Sequence, residues 1–297
     1  MKQRILAILL SLTMMFTLVP TAMAEGEEVS AGEGSETPAV EYVAQIGDVK
    51  YDTLAEAVAA AKDGETVTLL ADVIQNTMLT INKNITLDLD GKKIYNTEDI
   101  WSDTNKTYEL ISVEAEVTIT GNGSIEAKAN DCYTINVKNG NLTIENGRFV
   151  GNVSVVQVEK GTLTINGGEF KLLQKWEGSS KYLINCIDAA WRDGTAKVFI
   201  KGGTFKSFDP SDSASENPHG NFLAEGYGVK QDGDNYIVTE PVAAIGDTKY
   251  PTLAAAVEAA DNNATTVTLL KDTTENVTIP TGQTITLDLN GKNIKPT

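Results

Sequence analysis

The chain has 297 residues, of which 41% are hydrophobic and 22% charged, so it carries enough apolar material to build a core and is not an acidic disordered tail throughout. Lys and Arg total 24 against 41 Asp and Glu, a net charge of −17, which argues against nucleic acid or an anionic membrane surface as a partner, because both require a cationic footprint. One His (His219) and two Cys (Cys132, Cys186) exclude His/Cys zinc clusters and a disulfide-dense scaffold.

Residues 1–24 read as an export signal. Lys2 and Arg4 supply the charged start, Ile5 to Val19 an apolar run, and Ala22-Met23-Ala24 a small-x-small cleavage site. A membrane anchor is the competing reading, but the run is short of the roughly 20 apolar residues that span a bilayer, and Pro20 interrupts it. Cleavage is expected to leave a protein outside the cytoplasm with no further membrane insertion. Residues 25–42 are acidic, contain Gly and Ser, and hold few large apolar side chains, the composition of a flexible linker. Residues 53–62 are predicted as a helix. Thr53 and Glu56 have capping-box spacing, Leu54, Ala57, Val58 and Ala61 share a face, and Gly64 is the expected stop. This helix is placed as a lid over the strands that come after it in the chain.

Two repeats organise the remainder. In the long one, Ile46-Gly-Asp-Val-Lys-Tyr51 returns as Ile245-Gly-Asp-Thr-Lys-Tyr250 and Ile85-Thr-Leu-Asp-Leu-Asp-Gly-Lys92 as Ile285-Thr-Leu-Asp-Leu-Asn-Gly-Lys292. Residues 43–240 are therefore read as one module and 241–297 as an incomplete second copy. The short repeat lies inside the first module. Apolar-x-apolar triplets are followed by a Gly turn and one large apolar residue: Leu87-Asp-Leu89…Ile94, Val117-Thr-Ile119…Ile125, Leu142-Thr-Ile144…Phe149, Leu163-Thr-Ile165…Phe170 and Val198-Phe-Ile200…Phe205. Period-2 alternation puts the outer two residues of each triplet on one face and stacks Leu89, Ile119, Ile144, Ile165 and Ile200 in one inward column. Thr86, Thr118, Thr143 and Thr164 should then form one outward column. Further apolar segments near Leu110–Val113, Tyr133–Val137, Val153–Val158 and Tyr182–Ile187 give each cycle two or three strands and no helix. Strands recurring every 21 to 35 residues with their large apolar residues in step suit a stacked coil filled by Ile, Leu and Phe. The predicted fold is all-β: a right-handed parallel β-helix closed by a strand pair within Phe222–Val238.

The unit IGD-x-KY-x-TL-x-x-AV, then TVTLL-x-D, then ITLDL-x-GK, with coil motifs NLTIENGRF and GTLTINGGEF, resembles the repeat modules of Gram-positive bacterial surface proteins of the pectate-lyase-like superfamily. The resemblance covers about residues 43–297. It implies a parallel β-helix displayed on or secreted from the cell, for adhesion or structural display, and leaves activity open, since the superfamily holds lyases, hydrolases and adhesins. Lyase chemistry would require acidic residues holding Ca²⁺ and a basic residue near the scissile unit. Only Arg148 and Arg192 remain after residue 24, and the best constellation is Asp188-Ala-Ala-Trp-Arg192-Asp193, read as a polar loop in which Arg192, Asp188 and Asp193 are the candidate catalytic groups. The Asp-Asp, Asn-Thr-Asp and Arg-Ile-Lys motifs of the superfamily's polygalacturonases are missing. His219 sits without an evident partner in a Pro/Ser/Asp loop.

Binding has better candidates. Trp101, Trp176 and Trp191 all fall in the insertions that lengthen the cycles, where a loop Trp on a rigid scaffold can stack against a sugar ring. The expectation is thus a non-catalytic display or adhesion module contacting glycan or host-surface material through these residues. No metal site and no cofactor is expected, Ca²⁺ entering only under the alternative of a lyase acting on uronic-acid polymers. Cys132 and Cys186 are read as buried packing, although export would permit a bridge.

Overall fold

The computed structural model describes residues 42–174, 182–216, 219–261 and 264–297. The predicted export signal, nearly all of the predicted linker and Trp176 lie outside the described residues.

From residue 66 onward the chain visits three sheets in rotation, and each strand pairs with its counterpart one cycle away. Sheet A stacks Thr66–Leu69, Ile85–Asp88, Glu116–Thr120, Gly140–Ile144, Gly161–Ile165 and Ala196–Ile200, all parallel. Sheet B stacks Val73–Ile74, Lys93–Tyr95, Ser124–Glu126, Arg148–Gly151, Glu169–Leu172 and Thr204–Lys206 in the same way. Sheet C contains Leu79–Ile81, Glu109–Val113, Tyr133–Val137, Val156–Val158 and Ile184–Cys186. The architecture is all-β with parallel sheets. The first five cycles carry three strands each, and the sixth contributes strands to sheets A and B.

Register turns the sequence repeat into columns. Thr118, Thr143 and Thr164 lie opposite one another, with Thr66 and Thr86 before them and Phe199 after. Ile94, Ile125, Phe149, Phe170 and Phe205 form another column, in which three Phe rings stack at 5.1 and 4.9 Å with interplanar angles of 13° and 6°. Inward residues from all three sheets join one apolar cluster. Such residues contribute roughly 1.5–3 kcal/mol each on burial, which makes the columns the main source of stability.

One column is shifted from the sequence expectation. Ile119 lies opposite Leu87, not Leu89, so the column runs Val67, Leu87, Ile119, Ile144, Ile165, Ile200. Leu89 is fully buried but stands past the strand end, where its N–H donates to the Thr120 carbonyl. The cause is the adjoining turn: Asp90 at φ +41° and Gly91 at φ +75° form a two-residue left-handed corner that returns at Asn290-Gly291 but not in the later described cycles of the first module. A second difference is α1 (Leu54–Ala60), which ends well before Gly64. Thr53 caps it by accepting from the Glu56 N–H at 3.1 Å, and its last carbonyls are held by the Lys83 ammonium, which donates to Ala59 O at 2.6 Å and Ala61 O at 2.8 Å. The third is α2 (Asp188–Asp193), a one-and-a-half-turn helix where a polar loop was expected, stopped by Gly194 at φ +76°.

The predicted strand pair exists: Gly228–Asp232 and Asn235–Thr239 form an antiparallel hairpin added to Thr204–Lys206 at one end of sheet B. Beyond it, Ala243–Ile245, Thr248–Tyr250, α3 (Leu253–Ala259), Thr265–Leu269, Thr273–Thr274, Ile285–Asp288 and Ile294–Lys295 repeat the opening elements around a separate small apolar cluster. The Gln283 amide takes the place of Lys83, donating to Val257 O and Ala260 O. Ile85, Leu87, Leu89 and Ile94 are buried, whereas Leu287, Leu289 and Ile294 at the matching positions are 38%, 46% and 36% exposed.

Candidate functional site

The insertion between Tyr95 and Glu109 is anchored by a buried carboxylate. Asp131 accepts from the Ile100 N–H at 3.0 Å, from the Trp101 N–H at 2.9 Å and from the Asn96 amide at 2.7 Å. Asn96 in turn accepts from the Lys128 N–H at 2.7 Å, and the Thr107 hydroxyl donates to Ile100 O at 2.7 Å. A carboxylate that accepts several N–H donors fixes the backbone it holds. Trp101 therefore stands on a constrained loop, its ring edge-on to Tyr108 at 4.9 Å and Tyr133 at 5.6 Å, and 40% exposed.

Tyr133 leads from this aromatic group to a polar one on sheet C. Burial, then the charges of Glu109 and Glu159, push its phenol pKa upward. Glu109 is fully buried; one oxygen lies 2.7 Å from the Lys138 ammonium and the other 3.4 Å from the Asn136 amide nitrogen. Burial pulls the Lys138 pKa down, but the bond and charge of Glu109, with Glu159 and Glu114, outweigh it and the net shift is upward. The Asn136 amide nitrogen also donates to Glu159 at 2.7 Å. Asn136 is 1% exposed, and its Oδ1 has no hydrogen-bond partner among the described residues. Because both neighbours of its nitrogen are carboxylates, flipping the amide would set oxygen against oxygen, so the orphaned atom is the acceptor.

The arrangement is an aromatic platform beside a row of acceptors. Among the described residues, no three Asp, Glu, His or Cys side chains converge as a metal site.

The other predicted residues that lie among those described sit elsewhere and are engaged structurally. Arg192 and Asp188 face each other across one turn of α2 at 3.7 Å, about half exposed. Asp193 accepts from the Thr195 hydroxyl at 2.6 Å and N–H at 2.9 Å, bonds that lower its carboxyl pKa. Trp191 is packed edge-on against the buried Phe222 ring at 5.3 Å, and Gly220 lies so close that a Cβ there would come within 2.8 Å of the indole. Trp101 precedes the Glu109–Val113 strand, whereas Trp191 follows Ile184–Cys186, three strands away in sheet C, or about 14 Å at ordinary strand spacing. The structure does not bring these two Trp residues together. His219 has a partner after all, with Nδ1 2.9 Å from Asp212 Oδ1 on the surface. Cys132 and Cys186 are buried free thiols whose pKa values burial raises.

Asp131, Glu109, Asn136, Lys138 and Glu159 were not singled out from sequence. Asn136 alone carried a positional signal: Ser112, Asn136, Gln157 and Asn185 occupy one column of sheet C, which becomes visible only once the cycles are aligned. The chain matches no family model, no curated protein and no solved structure.

Proposed function

We infer that residues 43–240 wind as a right-handed parallel β-helix of the pectate-lyase-like type, that the protein is exported and displayed at or beyond a bacterial cell surface, and that it binds glycan without catalysing a reaction. Three sheets visited in rotation around one core support the winding, and connections between parallel strands are right-handed in about 98% of cases. The apolar run and small-x-small site in residues 1–24 support export. The observation that carries the binding reading is Trp101, partly exposed on a loop that Asp131 pins by two backbone N–H groups. A platform held in place before binding loses little freedom on binding. The lyase alternative draws less support, because Arg192, Asp188 and Asp193 are occupied within α2 and its cap. A glycan array probed with the full-length protein and with Trp101→Ala tests the reading. Binding that Trp101→Ala removes at unchanged melting temperature is expected, and a blank array with folded protein refutes it. Chelator-sensitive release of an ultraviolet-absorbing unsaturated product from polyuronate, lost in Arg192→Ala, would establish the lyase instead.

A further inference from the structure

We propose that the outer face of sheet C selects a neutral, hydroxyl-rich saccharide over a uronic acid, with Glu159 and Asn136 Oδ1 accepting hydroxyls from a sugar that rests on Trp101 and Tyr133. This rests on the glycan reading above and gives it a ligand class.

Two independent observations point the same way. The first is chemical need. Among the described residues Asn136 Oδ1 is a buried acceptor without a donor, the kind of group that a protein seldom leaves unpaired. Its amide cannot turn over to solve the problem, since the nitrogen is held by Glu159 and Glu109. A sugar hydroxyl is a donor of the right kind. Beside Asn136 stands Lys138, held to this cluster through its ion pair with Glu109 and itself 27% exposed.

The second observation is charge. Glu109, Glu159 and Glu114 face this patch; Glu109 and Glu159 bond to Asn136, and Glu114 accepts from the Ser112 hydroxyl at 3.5 Å. Lys138 is ion-paired with Glu109 and feels the charges of Glu159 and Glu114. A uronate carboxylate entering here would meet three like charges and one opposite charge, and like charges at short range raise the free energy of binding. A neutral sugar meets acceptors and supplies donors. Loss of a hydrogen bond to a charged acceptor commonly weakens binding by about tenfold or more, so specificity should reside in Glu159 and Asn136 while Trp101 supplies the stacking surface.

The test is calorimetric titration of the full-length protein with neutral oligosaccharides (cello-, manno- and N-acetylglucosamine oligomers) and with oligogalacturonate. Binding of a neutral oligomer, none of oligogalacturonate, and a loss of about tenfold in Glu159→Gln support the proposal. Glu159 is exposed and Glu159→Gln keeps its shape, so folding should survive even where Asn136→Leu fails to fold. Glu159→Lys should lose the neutral ligand and gain oligogalacturonate. Equal or tighter binding of oligogalacturonate by the natural protein overturns the charge argument and leaves the glycan reading standing. Neutral binding that is lost in Trp101→Ala but untouched in Glu159→Gln and Glu159→Lys overturns the placement. If folded protein binds neither class, the glycan reading falls along with this one.

Discussion

Phe170 is the position at which the core can be tested most sharply. Its ring is 2% exposed and lies between Phe149 at 5.1 Å and Phe205 at 4.9 Å, so Phe170→Ala opens a void that touches two other cycles. Truncating a buried Phe costs about 3–5 kcal/mol, and each stacked pair adds about 0.5–1.5 kcal/mol beyond area. Two pairs are lost at once, which places the expected destabilisation near the upper end, about 4–5 kcal/mol. For a module of this size, each kcal/mol lowers Tm by about 2–4 °C, giving a fall of roughly 8–20 °C. Urea titration followed by circular dichroism measures the free energy and a thermal melt measures the shift. Phe199→Ala is the matched control: the same deletion on the outward Thr column, at a ring 42% exposed, should change stability by less than about 1 kcal/mol. A Phe170→Ala loss below about 1 kcal/mol, or one equal to the Phe199→Ala effect, would refute a continuous core built from stacked columns.

Gly161 adopts φ +108°, and a Cβ there would lie 1.8 Å from Gly140 O, so Gly161→Ala should cost on the order of 3 kcal/mol or more; Gly91→Ala, at φ +75° with open space around it, should cost only about 1 kcal/mol, both read by urea titration. Burial, with the Asp188 charge adding to it, raises the pKa of Glu216, whose carboxyl accepts from the Cys186 N–H and the Ser215 hydroxyl. A raised acid pKa means that folding favours the protonated form, so this contribution is complete below the unfolded pKa of about 4.3 and is lost as pH rises through the folded value. Natural protein should therefore gain more stability than Glu216→Gln on going from pH 7 to pH 5, and identical pH profiles would dispose of the assignment. Cys132 and Cys186 should react with a thiol reagent only after denaturation, and unreduced denatured protein should titrate as two thiols; none would establish a bridge instead.

What was legible in the sequence is what repeats. The columns through Ile119, Ile144, Ile165 and Ile200 and through Phe149, Phe170 and Phe205 follow from alternation plus a Gly corner at nearly constant spacing. The slip at Leu89 arose where Ile85, Leu87 and Leu89 keep the same phase, so alternation alone allows two registers and only the Asp90-Gly91 corner decides between them. Six residues are too few to display a helical period, which hid α2. The polar group on sheet C was hidden for a different reason. Glu109, Asn136 and Glu159 are spread over three cycles of unequal length, and no local pattern joins them.

The one-layer-per-cycle pairing has a mechanical consequence. Among the described residues, each strand of the first module's three sheets pairs with its counterparts in the layers before and after it, and α1 and the closing hairpin lie at opposite ends of the stack. A pull applied between those ends loads the strand pairs one interface at a time, so the module should lengthen in steps, not in a single event. Successive layers are separated by 32, 25, 21 and 35 residues along the column from Leu87 to Ile200, and each residue contributes about 3.3–3.6 Å of extended chain. The steps would then range from roughly 70 to 125 Å and differ from one another, so a single-molecule extension trace would carry the order in which the layers release.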